Sequence, residues 1–177
     1  MKFLIVVGTS REGRNSIYPA RKARDLLSDL GQDAELFDLK NYDIPFLGVQ
    51  RHRTEDPHPD VEEFGQKVEN SDGIILVTPE YNHSYSGELK NAIDHLYPEY
   101  DDLPFSYITV SAGGFGGARA LPHLHEVTLE LGGHPGPDLP ISNVKTIFKD
   151  GKLADDEYRD RFKEFTEECI DFCSKFN

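Results

Sequence analysis

Short apolar runs alternate along this chain with segments of helical periodicity. The runs Phe3–Val7 and Gly73–Val77 are rich in β-branched residues and have the length of buried strands. Further strand-like runs are found at Ala34–Leu39, Phe105–Ser111 and Gly136–Ile141. Because a helix-like segment follows each run, the pattern predicts an α/β domain with a five-stranded parallel sheet covered on both faces.

One helix-like segment has a continuous apolar stripe, formed by Leu89, Ala92, Ile93, Leu96 and Tyr97. Ser86 is its predicted N-cap, Glu88 places an anion on its first turn, and Pro98 ends it. Other helices are predicted at Ile17–Leu30, at Val61–Asn70, in a segment ending at Leu131, and at Asp155–Phe176. On the first of these, Leu30 belongs to the predicted buried face and Gly31 is the stop signal.

The length of 177 residues predicts a single domain spanning residues 1–177. No apolar run is long enough to cross a membrane, and the N-terminus has the pattern of a strand rather than of a signal peptide. Cys169 and Cys173 are predicted to be buried apolar residues and not a disulfide, redox pair or metal site. These features predict a cytoplasmic protein. The polar connection 40–60 is too long for a plain link and is predicted to be functional or mobile.

The formal net charge of −13 argues against nucleic acid and anionic membranes as partners. Asp and Glu outnumber Lys and Arg by 32 to 19. An acid excess of this size suits a protein from a high-salt environment, where self-repulsion is screened, although many ordinary cytosolic proteins are also acidic. A high-salt source is therefore a hypothesis that a melting series in KCl would test.

The loop after the first strand, residues 8–16, reads G-T-S-R-E-G-R-N-S and leads into the first predicted helix. Hydroxyl, amide and guanidinium groups meet there with the unpaired N–H groups of a helix start, which is an arrangement that holds phosphate. The loop lacks both the G-x-x-x-x-G-K-[ST] and the G-x-G-x-x-G patterns, so a single terminal phosphate fits better than a pyrophosphate. The alternative is a polar loop in which Ser16 only caps the helix.

The segment Thr78–Asp94 reads T-P-E-Y-N-H-S-Y-S-G-E-L-K-N-A-I-D. Its Pro-Glu-Tyr-Asn run, the Ser that follows, and Gly-x-Leu-Lys-Asn-Ala-Ile-Asp resemble the signature of the NAD(P)H-dependent FMN reductases, which include quinone, azo-dye and chromate reductases. Residues 8–16 resemble the phosphate loop of that family, and residues 111–120 resemble its Ser-x-Gly…Gly-Gly-x-Arg-Ala run. The resemblance implies a flavodoxin-like fold with strand order 2-1-3-4-5.

The resemblance also implies which residues bind FMN. In the phosphate loop they are Thr9, Ser10, Arg11, Arg14, Asn15, Ser16 and Ile17, with Arg14 the least certain because family members differ there. Near the isoalloxazine they are Pro79, Glu80, Tyr81, Asn82, Ser111, Gly113 and Gly114. The backbone N–H groups of residues 80–82 would serve the pyrimidine edge, the Tyr81 ring would give a flat surface, and Gly113–Gly117 would allow close approach and positive φ. Since the phosphate is held elsewhere, Tyr81 and Asn82 are expected to affect turnover more than occupancy.

The function implied is an FMN-dependent oxidoreductase that takes a hydride from NADPH or NADH and reduces a small acceptor such as a quinone, azo compound or metal oxyanion. The flavin carries the chemistry, so no catalytic side chain and no metal ligand is predicted. A homodimer or homotetramer is implied as well. The alternatives are an electron-transfer flavodoxin without NAD(P)H oxidation, and a flavin-free nucleotide-binding or hydrolytic α/β domain.

Two further clusters of residues could each be interpreted as a binding site. His123, His125 and Glu126 could be metal ligands, but the spacing favours a solvated helix face. The run Arg51–Arg53 could meet the phosphate of a pyridine nucleotide, although a plain exposed loop is the stronger interpretation.

Overall fold

The computed structural model describes residues 1–176, in which a five-stranded sheet is covered by helices on both faces. The strands are β1 (Lys2–Val7), β2 (Asp33–Asp38), β3 (Gly73–Pro79), β4 (Pro104–Val110) and β5 (His134–Ile141). Neighbouring strands are parallel and follow the order β2-β1-β3-β4-β5. The predicted fold class and the flavodoxin-like strand order are therefore confirmed.

Six helices connect or follow these strands in residues 1–176. They are α1 (Ile17–Asp29), α2 (Pro59–Glu69), α3 (Gly87–Asp94), α4 (Leu121–Glu130), α5 (Val144–Ile147) and α6 (Asp156–Cys173). α1, α5 and α6 pack on one face of the sheet, and α2, α3 and α4 pack on the other. Both faces of β1 are consequently buried, which explains why its sequence is continuously apolar rather than alternating.

The predicted caps agree with the structure better than the predicted helix ends do. The Ser86 hydroxyl accepts the Leu89 N–H at 3.2 Å and so caps α3. α3 ends at Asp94, well before Pro98, and Tyr97 is 45% exposed, so its place on the buried stripe was wrong. Leu30 is likewise exposed because α1 ends one residue earlier, while Gly31 has the predicted positive φ of 78°.

A short segment between β5 and α6 was not predicted. It contains α5 and a hairpin of two-residue strands, β6 (Phe148–Lys149) and β7 (Lys152–Leu153). Val144, Ile147 and Phe148 add buried side chains to the core beneath α1 and α6. The segment thus extends the core and places Val144 beside the loop that follows β4.

The connection between β2 and α2 is fixed to α3. The Asn91 amide donates to the Pro45 carbonyl at 2.8 Å, and the Arg51 N–H donates to the His95 carbonyl at 2.8 Å. The Arg51 guanidinium also pairs with three glutamates from outside the connection, Glu62, Glu69 and Glu99. The connection is therefore anchored to α2 and α3 through both its backbone and its side chains.

Cys169 and Cys173 are both buried, as predicted, and burial raises the pKa of both thiols. Within residues 1–176, no helix combines the length and apolar character needed to cross a membrane.

Candidate functional site

Three loops meet at the carboxyl edge of the sheet, after β1, β3 and β4. They enclose a cleft of about 130 Å³ beside the point where β1 and β3 lead to helices on opposite faces. Of the predicted site residues, those that line this cleft are Arg11, Arg14, Asn15, Ser16, Pro79, Glu80, Tyr81 and Ser111. The remaining predicted residues do not line it, and these are Thr9, Ser10, Ile17, Asn82, Gly113 and Gly114. A larger cleft of about 890 Å³ lies around Arg51, away from these loops.

Ser16 is the residue whose environment points most directly to a ligand. Its side chain is buried, and its Oγ has no hydrogen-bond partner within residues 1–176. It makes no capping bond to α1, so the alternative in which Ser16 only caps the helix is wrong. A buried unpaired hydroxyl costs about 1–3 kcal/mol. A hydroxyl left in this state at a helix start fits a site completed by an anion.

Arg11 lies in the same cleft and is exposed. Its Nε donates to the Tyr81 Oη at 2.9 Å. Beside it, Thr9 is fully buried, and the Thr9 Oγ1 accepts the Arg11 backbone N–H at 3.3 Å. The contact between Arg11 and Tyr81 joins the predicted phosphate loop after β1 to the predicted ring loop after β3.

Arg14 has a different set of partners from Arg11. Its guanidinium donates to both Asp38 carboxylate oxygens, with Nη1 2.5 Å from Oδ1, and also to the Thr9 carbonyl. The two side chains are only 10% and 12% exposed. The carboxylate at the end of β2 therefore neutralises Arg14 and ties the loop to the sheet. The predicted contact between Arg14 and the FMN phosphate would have to be made beside the Arg14–Asp38 ion pair.

Ser10 faces the start of α3 instead of the cleft. Its N–H donates to Glu88 Oε2 at 2.7 Å, and its hydroxyl donates to Glu88 Oε1. Burial raises the pKa of the Glu88 carboxyl, but the hydrogen bonds from Ser10 and Thr9 together with the Arg14 charge hold this pKa below the ordinary value. Both Ser10 donors are thus occupied by a carboxylate that was predicted only as a charge on the first turn of α3.

The loop after β3 ends in a tight hairpin. Tyr81 and Ser84 exchange backbone hydrogen bonds of 2.8 and 3.0 Å, and the two residues between them, Asn82 and His83, have φ of 50° and 67°. The Glu80 N–H donates to the Val110 carbonyl at 3.0 Å. The expectation that the N–H groups of Glu80 and Tyr81 serve a flavin edge is therefore wrong, because internal carbonyls already accept them.

Two residues of α4 and its approach hold this hairpin in place, and neither was predicted as part of the site. The Arg119 N–H donates to the Glu80 carboxylate at 3.3 Å, and His123 Nδ1 lies 2.9 Å from the Ser84 hydroxyl oxygen. Arg119 belongs to the Gly-Gly-x-Arg-Ala run and could have been found from it. The sequence singled out His123 only as a candidate metal ligand, and nothing in it indicated a contact with Ser84.

The glycine-rich loop after β4 divides into two parts. Gly113 and Gly114 have open space where a side chain would begin. Gly116 and Gly117 have φ of 63° and 82°, and a Cβ on Gly117 would lie 2.7 Å from the Thr109 Cβ. The positive φ expected along the whole loop is thus confined to the second pair. The first pair leaves a surface that a flat ligand can approach.

Ile17 contributes to the site only through its position at the start of α1. Its side chain is 9% exposed and packs into the core. Any contact between Ile17 and a ligand would therefore come from its own backbone N–H, at the first position of the helix.

The two other clusters do not form separate sites. Arg51 is only 15% exposed and is paired with glutamates, so it is neither a plain exposed residue nor available to a nucleotide phosphate. His123 and Glu126 lie on the exposed face of α4, whereas the His125 ring packs on Tyr107 with centroids 4.8 Å apart. Among residues 1–176, no three His, Cys, Asp or Glu side chains are grouped as metal ligands would be.

Comparisons with known proteins give a consistent result. Residues 1–145 match the family model of the NADPH-dependent FMN reductases. An NAD(P)H-dependent FMN reductase of Pseudomonas aeruginosa is 34% identical over 167 residues, which cover 90% of this chain and 88% of that protein. An FMN-dependent NADPH-azoreductase of Staphylococcus saprophyticus is 30% identical, with 97% and 95% covered. The solved structure of FerB, an NAD(P)H:acceptor oxidoreductase from Paracoccus denitrificans, has the same fold, with a TM-score of 0.81, 22% identity and coverage of 99% and 98%.

Proposed function

The chain belongs to the NADPH-dependent FMN reductase family, and on this premise we propose how its own residues serve an FMN-dependent oxidoreductase. FMN is the cofactor, and NADPH or NADH is the electron donor. We propose a quinone, an azo compound or a metal oxyanion as the small acceptor. The azoreductase name of one relative supports the second of these choices.

The buried Ser16 hydroxyl carries the assignment of the phosphate site. It has no partner within residues 1–176, it lines the cleft at the start of α1, and Arg11 lines the same cleft. A terminal phosphate supplies acceptor oxygens for the Ser16 hydroxyl and for the Arg11 Nη groups, and the positive end of α1 favours its charge. Arg11, Asn15, Ser16 and the Ile17 N–H would hold the phosphate, while Ser10 and Arg14 shape the loop through Glu88 and Asp38. The next N–H groups of α1 are not available, because those of Tyr18 and Ala20 donate to internal carbonyls and Pro19 has none.

The open surface over Gly113 and Gly114 fits the flat ring of the cofactor. Tyr81, Pro79 and Ser111 would border the ring from the neighbouring loops. When bound, FMN accepts two electrons and a proton from the nicotinamide and delivers them to the acceptor. The protein holds the phosphate, orients the ring and keeps one side open to both substrates, and no side chain is assigned as acid, base or nucleophile.

Anaerobic stopped flow on the FMN-loaded protein tests this function. We expect NADPH or NADH to bleach the flavin absorbance within a single turnover, and a quinone or azo dye to restore it. Arg11→Ala should lower FMN occupancy, whereas Arg21→Ala, which removes an exposed arginine of α1 outside the cleft, should not. If the protein were an electron-transfer flavodoxin, it would bind FMN, but NADPH or NADH would not reduce the flavin directly. If the protein does not bind FMN, neither the reductase nor the flavodoxin function holds.

The exposed apolar side chains of the connection support self-association. Phe46 is 95% exposed, and Leu47 and Val49 are 41% and 50% exposed where the connection runs along α3. Tyr97, which follows α3, is also exposed, and its ring lies next to that of His52 in the connection. We propose that a second copy of the chain covers this surface, giving the homodimer or homotetramer predicted above. A cytoplasmic location stays a prediction from the sequence.

A further inference from the structure

The phenol oxygen of Tyr81 connects two loops that the proposed function assigns to different parts of FMN. The Arg11 Nε donates to this oxygen at 2.9 Å, and the Thr9 Oγ1 lies 3.4 Å from it. Thr9 is itself fully buried and accepts the Arg11 N–H. A tyrosine from the ring loop therefore fixes the arginine of the phosphate loop.

Arg11 has few contacts besides this hydrogen bond that could fix its side chain; its Cζ also lies 5.9 Å from the centroid of the Tyr81 ring. It is exposed, and among residues 1–176 it forms no ion pair, whereas Arg14 is held by a carboxylate in the same loop. The guanidinium has five N–H donors in a rigid plane. Donation from Nε to Tyr81 leaves both Nη groups for a phosphate and sets the plane in which they lie. Ordering a long side chain before the ligand arrives removes part of the entropic cost of binding.

We propose that the Tyr81 hydroxyl is a positioning residue for the FMN phosphate, which it orders through Arg11. This inference rests on the proposed function and deepens it. It gives Tyr81 a role that depends on the phosphate, in addition to any contact between its ring and the isoalloxazine. The hydroxyl would thus act on the phosphate through Arg11, whereas the ring would contact the isoalloxazine.

Tyr81→Phe separates these two roles because it removes the hydroxyl and keeps the ring. FMN and riboflavin form the matching pair of ligands, since they share the ring and differ in the phosphate. We expect Tyr81→Phe to weaken FMN binding about fivefold to tenfold, the effect of one hydrogen bond, and to change riboflavin binding less than about twofold. Titration calorimetry or flavin fluorescence gives both dissociation constants, and thermal melting confirms that the variant is folded.

A double-mutant cycle tests whether the hydroxyl acts through Arg11. In an Arg11→Ala background, Tyr81→Phe should have no further effect on FMN affinity. Tyr18→Phe is the matched control, because the Tyr18 ring packs on Phe148 outside the cleft, and it should leave both affinities unchanged.

The inference is overturned if Tyr81→Phe leaves FMN affinity unchanged, or weakens FMN and riboflavin equally. A loss that persists in the Arg11→Ala background also overturns it, since Tyr81 would then act on the cofactor without the arginine. If the wild-type protein binds FMN no more tightly than riboflavin, the phosphate site itself is wrong, and the inference is lost with it.

Discussion

Arg11 and Arg14 lie three residues apart, yet their partners predict opposite consequences of mutation. Arg11→Ala should weaken FMN binding by about 1.5–3 kcal/mol, the value of a charge-assisted contact, with little change in stability because Arg11 is exposed. Arg14→Ala leaves the carboxylate of Asp38 without its partner in a largely buried place, so we expect a loss of roughly 2–4 kcal/mol in the free energy of unfolding.

Calorimetric titration with FMN and urea unfolding measure the two effects separately. Asp38→Asn is the control for Arg14, since it breaks the same pair from the other side and should reproduce the stability loss. Equal stability losses in the Arg11 and Arg14 variants would contradict the different roles assigned to them.

The glycines after β4 give a second contrast at the residue level. Gly117→Ala forces a side chain into positive φ against Thr109, and should destabilise the fold by at least about 1–2 kcal/mol. Gly114→Val meets open space in the protein, so we expect near wild-type stability but weaker FMN binding, because the side chain occupies the surface proposed for the ring. Urea unfolding and flavin fluorescence titration check the pair. A Gly114→Val protein with normal FMN affinity would remove this surface from the site.

The sequence indicates which residues surround the site more reliably than which donors are available there. Ser10, Arg14 and the Glu80 N–H are donors in the expected loops, but Glu88, Asp38 and the Val110 carbonyl already accept from them. These acceptors lie far away in sequence, and their approach depends on the packed sheet. The orphaned Ser16 hydroxyl is equally invisible in the sequence, since a serine before a helix ordinarily caps it.

Among the elements, α2 and the connection before it depend on one buried arginine. Hydrogen bonds, first from Arg51 and then from Gln66, lower the pKa of Glu62 from 4.5 to about 2. A carboxyl whose pKa is lower in the folded protein than in the unfolded chain stabilises the fold at every pH above the unfolded-state pKa. This contribution is lost as the pH falls through the folded-state pKa. We therefore expect the free energy of unfolding to fall between about pH 4.5 and pH 2, and to fall less in Glu62→Gln.

Urea unfolding at a series of pH values compares these two proteins. Glu167→Gln, on the exposed face of α6, is the control for the general titration of surface carboxylates and should follow the wild type. If Glu62→Gln shows the same pH dependence as the wild type, Arg51 does not hold α2 in the way described.

Elements with a strong pattern were predicted to within a few residues of their ends, and those without one were missed. The run Gly73–Val77 is buried on both faces of the sheet, so its apolar character alone identified β3. By contrast, α5 has a single turn, too short to display a period, and β6 and β7 have two residues each. These three elements depend on contacts with α1 and α6, which cannot be predicted from a local sequence pattern.

At the scale of the molecule, the alternation of elements predicts a parallel sheet but does not fix the order of its strands. Each connection between parallel strands can move the chain to either side of the sheet, and the handedness rule then decides which face its helix covers. The order β2-β1-β3-β4-β5 was expected only from the family resemblance, and the structure confirms it. This order brings the loops after β1 and β3 together from opposite faces, which creates the crevice for the cofactor.

The strength of the proposed self-association depends on the net charge of the molecule as well as on its exposed apolar surface. Each copy carries a net charge of −13, so two copies repel one another at low ionic strength. Between about 0.1 M and about 1 M KCl the screening length falls from about 10 Å to about 3 Å. The attraction between apolar surfaces does not weaken in the same way. Association should therefore strengthen as salt is added, which sedimentation velocity can follow.

Phe46→Ser tests the surface itself. The side chain is 95% exposed in the single chain, so its loss should leave stability unchanged. Burial of one phenyl ring in each of two copies is worth about 1.5–3 kcal/mol per ring, and a symmetric dimer that loses both should weaken at least roughly hundredfold. Leu30→Ser, which removes an exposed apolar residue at the end of α1 on the other face of the sheet, should associate like the wild type. Equal weakening by both substitutions would place the interface elsewhere, and a wild-type chain that stays monomeric at high salt would contradict self-association altogether.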